Sequence, residues 1–197
     1  MILAIDTSSA MSAVALLGEG GEVLKEELAL SGPTFGLAAR VGRLRAERPL
    51  TKIAVATGPG SFTGLRVGVS FGLGLAIGLK VPIVPLSTLA IQAARSLEPV
   101  TAVAEAGRGR LYHLAPGARP GLGEPSELPR EWPLAGWLRP ETEAAVVAAG
   151  LALKPPEELG TFGAAAASLL ESAREVAYGS LKLEYMQSFS ARKPKAS

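Results

Sequence analysis

Cysteine is absent from the 197 residues, histidine occurs once and aromatic residues make up only 5%. Without cysteine the chain itself builds no disulfide, no thiolate metal site and no thiol nucleophile, which fits a reducing compartment. His113 alone cannot supply the two imidazoles of the paired-histidine zinc and iron hydrolases, so a metalloenzyme is not expected. Charge of one sign is scarce too. A formal net charge of +2, with no dense Lys/Arg block before the last few residues, carries no electrostatic footprint for nucleic acid. The apolar run from Val67 to Leu79 is too short for a membrane span, is broken by glycines and runs into Lys80 and two prolines. MILAID at the start lacks the basic and apolar regions of a signal peptide. A soluble cytoplasmic protein is expected, and its 48% hydrophobic content suits a folded core without metal or disulfide support.

Residues 2–6, 12–17 and 22–30 read as three strands. The first is apolar almost throughout, as a central strand should be, and GEGGE between the second and third suits a hairpin. Residues 33–47 interleave Phe35, Leu37, Ala38, Val41 and Leu44 with Arg40, Arg43, Arg45 and Glu47, an amphipathic helix stopped by Pro49. A buried strand over 53–56 leads through Gly-Pro-Gly into a helix over 62–79, capped by Ser61. A strand over 81–86 and a helix over 87–97, capped by Ser87 or Thr88, follow. The opening hairpins exclude an all-parallel sheet, so the fold class is α/β with a mixed sheet flanked by helices. Past Pro99 the pattern becomes less regular. Strands are expected over 100–105 and 111–115, a mostly irregular connection over 116–140, some helix in 141–151 and a helix over 157–177. The division is a first subdomain of residues 1–99, a smaller second one of 100–189 and a basic tail over 190–197.

Gly58, Gly60 and Gly64 are spaced one residue too widely for the dinucleotide fingerprint, and the acidic residue expected about twenty positions later is missing. No Gly-Lys-Ser/Thr follows, so the P-loop pattern fails as well. Two readings of the turn stand: free N–H groups at 61–64 that hold an anion, or a tight turn with a serine cap. Within the helix, Gly64, Gly68, Gly72 and Ala76 recur every four residues, each step advancing about 40° around the axis, so they form one slanted groove. Each glycine costs about 1 kcal/mol relative to alanine, so something must lie against that groove. The sheet can cover one side of the helix; the chain's other helices or a partner subunit cover the rest. Asp6-Thr7-Ser8-Ser9 ends the first strand where a nucleotide-binding carboxylate and hydroxyls would stand. Thr7 and Ser8 occupy the positions where a phosphate loop needs glycine, which favours an Asx or Ser/Thr turn. Arg66 is either a ligand for an anion or partner carboxylate, or the solvated edge of the helix. His113, beside Tyr112, has no Ser/Asp partner spaced to recruit it and reads as an ordinary half-buried histidine.

IDTSSAMSAVAL, GPGSFTGLRVGVSFGLGLA and VPIVPLSTLA together resemble the TsaB family, also called YeaZ, a subunit of the bacterial machinery for the tRNA modification threonylcarbamoyladenosine. The likeness covers the first half. In the second half, Glu105 to Tyr112 resembles the family's D-A-R-x-x-x-V-Y hairpin with glutamate for aspartate, and Leu183 to Gln187 echoes its terminal P-x-Y-L-R. The resemblance implies an actin/Hsp70-like (ASKHA) fold of two subdomains, the second reduced, and a non-catalytic scaffold and activator for a TsaD-type catalytic subunit. It implies pairing through the first two helices, with Phe35, Leu37, Val41, Leu44, Gly64, Arg66, Gly68, Phe71, Gly72 and Leu75 as candidate interface residues and the glycine groove covered by partner helices. A TsaE-type ATPase joins the complex, the chain alone can form a homodimer, and tRNA is met only through the complex. No cofactor belongs to this chain, ATP being used by the complex, and Asp6, Thr7, Ser8 and Ser61 are candidates for a vestigial nucleotide site. The rival readings are an ATP-binding, kinase-like enzyme of the same fold and, less favoured, a protease.

Overall fold

The computed structural model of the chain describes residues 1–32, 36–45 and 49–184. A first sheet is built by β1 (Ile2–Asp6), β2 (Met11–Leu17), β3 (Val23–Leu30), β4 (Lys52–Gly58) and β5 (Ile83–Ser87), in the order β3-β2-β1-β4-β5. The first three strands form an antiparallel meander, and β1, β4 and β5 run parallel, with Ile5 opposite both Val14 and Val55. Alternation along the strands supplies two apolar faces. Leu3, Ile5, Val14, Leu16, Ile53 and Val55 meet α1 (Leu37–Arg45) and α2 (Phe62–Leu79) on one side. Ile2, Ala4, Ala13, Ala15, Ala54 and Val84 lie on the other side, in one core with Ile91 of α3 (Thr88–Ala94). Because β1 is covered on both faces, it needs the unbroken apolar run that marks it in the sequence.

After α3 the chain enters a second sheet of β6 (Thr101–Gly107), β7 (Arg110–Leu114), β8 (Gly121–Gly123) and β9 (Leu134–Ala135), ordered β8-β7-β6-β9. Val103, Leu111, Leu134 and Val146 of α4 (Pro140–Ala148) share its core. The stretch expected to be mostly irregular thus contributes two strands; β9 is only two residues long and pairs in parallel with β6, too short a segment to show a period of its own.

The helix expected over 157–177 is replaced by a 3₁₀ turn at Pro156–Glu158 and by α5 (Phe162–Leu170). Thr161 starts α5, its hydroxyl accepting the Ala164 N–H at 3.1 Å, while the Gly160 N–H donates to the Arg95 carbonyl at 2.6 Å. Beyond Leu170 the chain leaves the helix to cover the sheet edge. The Val176 N–H donates to the Ile83 carbonyl at 3.0 Å and the Glu184 N–H to the Thr57 carbonyl at 2.8 Å. The alanine run 164–167 keeps its helix within α5, and the segment after Leu170 is drawn to the sheet instead of continuing it. Phe162, Ala165 and Ala166 of α5 pack in the first sheet's core, so residues 100–189 are not one packing unit: the second sheet is an excursion, and the chain returns to the first.

Smaller corrections concern helix ends. The first helix is Leu37–Arg45 rather than 33–47, whose outer residues fall largely outside those described, as does the basic tail over 190–197. The third helix is Thr88–Ala94, with the Ser87 hydroxyl accepting the Ala90 N–H. Counted from Phe62, α2 has 18 residues and is long and apolar enough, by length and composition, to cross a bilayer, although Val67–Leu79 alone is not.

Candidate functional site

Asp6 closes β1 with no exposure to solvent. Its Oδ1 accepts the Ser8 N–H at 2.8 Å and the Ser8 hydroxyl at 2.6 Å, and its Oδ2 has no partner among the described residues. Burial raises its pKa above the ordinary carboxylate value, offset in part by the Ser8 hydrogen bonds and by the charge of Arg95. The Ser8 hydroxyl lies 2.9 Å from that of Thr88. The neighbouring Thr7 hydroxyl donates to the Gly64 carbonyl at 2.6 Å, and the Ser61 N–H donates to the Ser8 carbonyl at 2.7 Å. Ser61 caps α2, its Oγ accepting the Gly64 N–H at 3.2 Å. Asp6, Thr7, Ser8 and Ser61 are therefore brought together, with their hydrogen bonds directed largely at one another, at Gly64 and at Thr88. The glycines of the turn permit the approach: a Cβ at Gly60 would stand 2.5 Å from the Ser8 carbonyl oxygen, and one at Gly64 would collide with that of Thr7.

The same contacts correct the expected role of the glycine groove. A Cβ at Gly68 would meet the Thr7 hydroxyl, one at Gly72 would meet Val55, and Ala76 is fully buried. Gly64, Gly68 and Gly72 lie against the chain's own β1 and β4 and leave no groove for a partner helix. Leu37, Val41 and Leu44 are likewise buried in the first core, while Phe71 and Leu75 are partly buried at its margin. The exposed Arg66 holds its guanidinium 3.7 Å from the ring centre of Phe62, one turn earlier. Phe35 lies outside the described residues.

The outward face of α2 is a different stripe. Val67 and Ile77 are 50% and 51% exposed, and Ser70, Gly74 and Gly78 beside them are exposed as well. On α1, Ala38, Ala39 and Gly42 are exposed. A Cβ added at Gly42, Gly74 or Gly78 would meet nothing within 4 Å. The signal was present in the sequence: Ser70, Gly74 and Gly78 repeat every four residues, like the inner glycines, on the opposite side of the helix.

Between the two sheets lies a cleft of about 1430 Å³, with Ser9, Ser31 and Thr63 on one wall and Glu105, Arg108 and Arg110 on the other. Sequence reasoning noted Glu105 only as a departure from a motif. Its Oε1 accepts the Arg139 N–H at 2.9 Å and the Thr142 hydroxyl at 2.6 Å, and its Oε2 accepts Arg139 Nε at 2.7 Å. A strand carboxylate thus caps the N-terminus of α4, where negative charge is favoured. His113 on β7 is half-buried, which lowers its pKa, and its Nδ1 has no partner among the described residues. Among the described residues no group of three or more His, Asp or Glu side chains is placed to hold a metal ion.

Comparison with known proteins adds three findings. A family model described as TsaD, tRNA N6-adenosine threonylcarbamoyltransferase, matches residues 45–120. The tRNA threonylcarbamoyladenosine biosynthesis protein TsaB of Haemophilus influenzae is 36% identical over 102 residues, 49% of this chain and 43% of that protein. Its Bacillus subtilis namesake is 36% identical over 121 residues, 56% of this chain and 52% of that protein. The chain spans about half the length of these curated relatives. Among solved structures, YeaZ from Pseudomonas aeruginosa has a similar fold, with a TM-score of 0.69 at 22% identity, covering 94% of this chain and 99% of that one.

Proposed function

We propose, because this chain belongs to the TsaB (YeaZ) family, that it serves tRNA threonylcarbamoyladenosine biosynthesis as a non-catalytic scaffold that docks on and activates a TsaD-type catalytic subunit. The observation that carries the docking reading is the outward stripe of α2, where Val67 and Ile77 stand half-exposed beside Ser70, Gly74 and Gly78. An apolar face on a helix that already spends its other face on a sheet is suited to a partner. Small residues on both α1 and α2 let a second pair of helices approach closely. The non-catalytic part of the reading is supported by Asp6, Thr7, Ser8 and Ser61, whose hydrogen bonds are made within the protein.

In this reading the mixed first sheet and the smaller second sheet form a reduced actin/Hsp70-like (ASKHA) fold. ATP is used by the complex through a TsaE-type ATPase, this chain holds no cofactor, and tRNA is met only through the assembled complex. In the absence of the catalytic subunit two copies pair through the same helical face. The site of action is the cytoplasm.

Mixing the purified chain with its TsaD-type partner tests the proposal. A complex that co-elutes on size exclusion, and that charged substitutions at Val67 and Ile77 abolish, is the expected result. A complex indifferent to those substitutions would overturn the docking face. Magnesium-dependent ATP binding by the chain alone, lost in Asp6→Asn, would favour the kinase-like rival.

A further inference from the structure

The first sheet has one edge that the fold leaves open. On one side, β5 is covered by the chain's own return, where Val176 bridges Ile83. In the second sheet the outer strands are only three and two residues long. β3 is an eight-residue outer strand, and among the described residues nothing pairs with its free side. Of the ten large apolar side chains that stand exposed among the described residues, four belong to β3: Val23, Leu24, Leu28 and Leu30. Leu30 is 72% exposed. A long edge with exposed apolar side chains is a template for a further strand, and folded proteins ordinarily blunt or cover it.

The backbone fixes how a further strand sits there. Met11 pairs with Leu30, and the next pair outward is closed by the Ser31 N–H, which donates to the Ala10 carbonyl at 2.8 Å. Backbone groups alternate along an antiparallel strand, so those of Lys25, Glu27 and Ala29 also turn toward β2, and those of Glu26, Leu28 and Leu30 turn outward. A second β3, antiparallel about a two-fold axis at Leu28, matches all three. Leu28 meets the partner's Leu28, and Glu26 and Leu30 meet the partner's Leu30 and the partner's Glu26. The leucines at 28 and 30 of both copies then form one apolar cluster, directly and diagonally opposed. The charges are compatible with this register. Glu26 already accepts the Gly163 N–H at 2.5 Å. The two Glu27 carboxylates stand diagonal to each other, each neutralised by Arg40 at 2.7 Å and Arg43 at 2.9 Å. An axis at Glu26 would instead oppose two carboxylates and run into Leu24, which the register with β2 skips. We propose that two copies of this chain pair through β3, joining their first sheets into one continuous sheet. The proposal is independent of the docking reading: α2 packs on Ile5 and Val55 of β1 and β4, away from β3, so its outward stripe stays open.

Because the chain has no cysteine, single introduced cysteines read the contact directly. The substitutions are made in the intact chain that also carries Val67→Asp and Ile77→Asp, so that pairing through the helical face does not contribute. Sedimentation equilibrium of that chain should show a dimer. Leu28→Cys should cross-link to its copy under mild oxidation, the two Cα atoms being about 5.5 Å apart. Lys25→Cys, about 20 Å from its copy by strand rise, should not. Leu28→Asp combined with Leu30→Asp should weaken dimerisation at least about tenfold, with an unchanged far-ultraviolet circular dichroism spectrum certifying the fold. A chain monomeric at about 100 μM, equal cross-linking at positions 25 and 28, or a dimer unmoved by the two aspartates would each overturn the proposal.

Discussion

The hydroxyl of Thr7 donates to the carbonyl of Gly64 at 2.6 Å, and a Cβ on Gly64 would in turn collide with the carbonyl oxygen of Thr7. One pair of residues thus joins the end of β1 to the first turn of α2 by a hydrogen bond and by an approach that only glycine allows. The loop and the helix behave as one unit.

Gly64→Ala should therefore destabilise the isolated chain by about 1–3 kcal/mol, because the obstacle is backbone that cannot swing aside. Gly72→Val should do the same against Val55. Gly74→Ala, in open space, should stabilise the chain by about 1 kcal/mol through helix propensity. Urea unfolding without any partner distinguishes the two faces. An equal response at Gly64 and Gly74 would contradict the packing.

Val67→Asp with Ile77→Asp should abolish the complex with a TsaD-type subunit. Both side chains are half-exposed, so unfolding of the chain alone should change by no more than about 0.5 kcal/mol per site. Size exclusion and urea titration of the same preparation read both quantities.

Glu105→Ala removes the carboxylate that caps α4 and leaves Arg139 N–H and the Thr142 hydroxyl without their acceptor. A loss of about 1.5–3 kcal/mol is expected for a buried charged acceptor. Glu105→Gln should lose less, since an amide oxygen can still accept. Urea midpoints of the three chains check the order.

Burial raises the pKa of Asp6 above its ordinary value of 3.8. The folded state then binds this proton more readily than the unfolded state. Asp6 alone therefore makes stability fall as pH rises from 3.8 through its folded value, and the deficit persists above that value. Glu98 is shifted the other way by its bond to Lys154, so the Asp6 contribution is isolated by difference. Asp6→Asn should remove a decline that sets in as pH rises above 3.8. Unfolding curves of both chains above that pH that differ by a constant would refute the assignment.

Tyr178→Phe should cost about 1 kcal/mol. The tyrosine hydroxyl lies 3.1 Å from the Ala76 carbonyl and 2.9 Å from that of Val81, where α2 ends. Thermal unfolding reads the loss, and partner binding by the outer stripe should survive it.

Much of the fold was legible because its signals are local. An unbroken apolar run marked β1, GEGGE marked the hairpin of β2 and β3, the hydroxyl of Ser61 marked the start of α2, and Gly-Pro-Gly marked the turn between strand and helix. The short α5 and the two-residue β9 were not legible: one is cut by contacts with β5 and Thr57, the other pairs with a strand distant in the sequence. At the candidate site the expected interface residues Leu37, Val41, Leu44, Gly68 and Gly72 are buried against the chain's own sheet, and the exposed stripe of α2 is made of others. Leu37, Val41 and Leu44 face inward, as the apolar side of any amphipathic helix on a sheet does.

The sequence by itself determined a mixed sheet flanked by helices, the exclusion of thiol and paired-histidine chemistry, and a helix dense with small residues. Tertiary structure alone decided which small residues meet what. Gly64, Gly68 and Gly72 face Thr7 and Val55, while Gly74 and Gly78 face open space. Both stripes recur every four residues, so their periodicity is the same; only the strands lying against one of them distinguish the two, and those strands come from elsewhere in the chain.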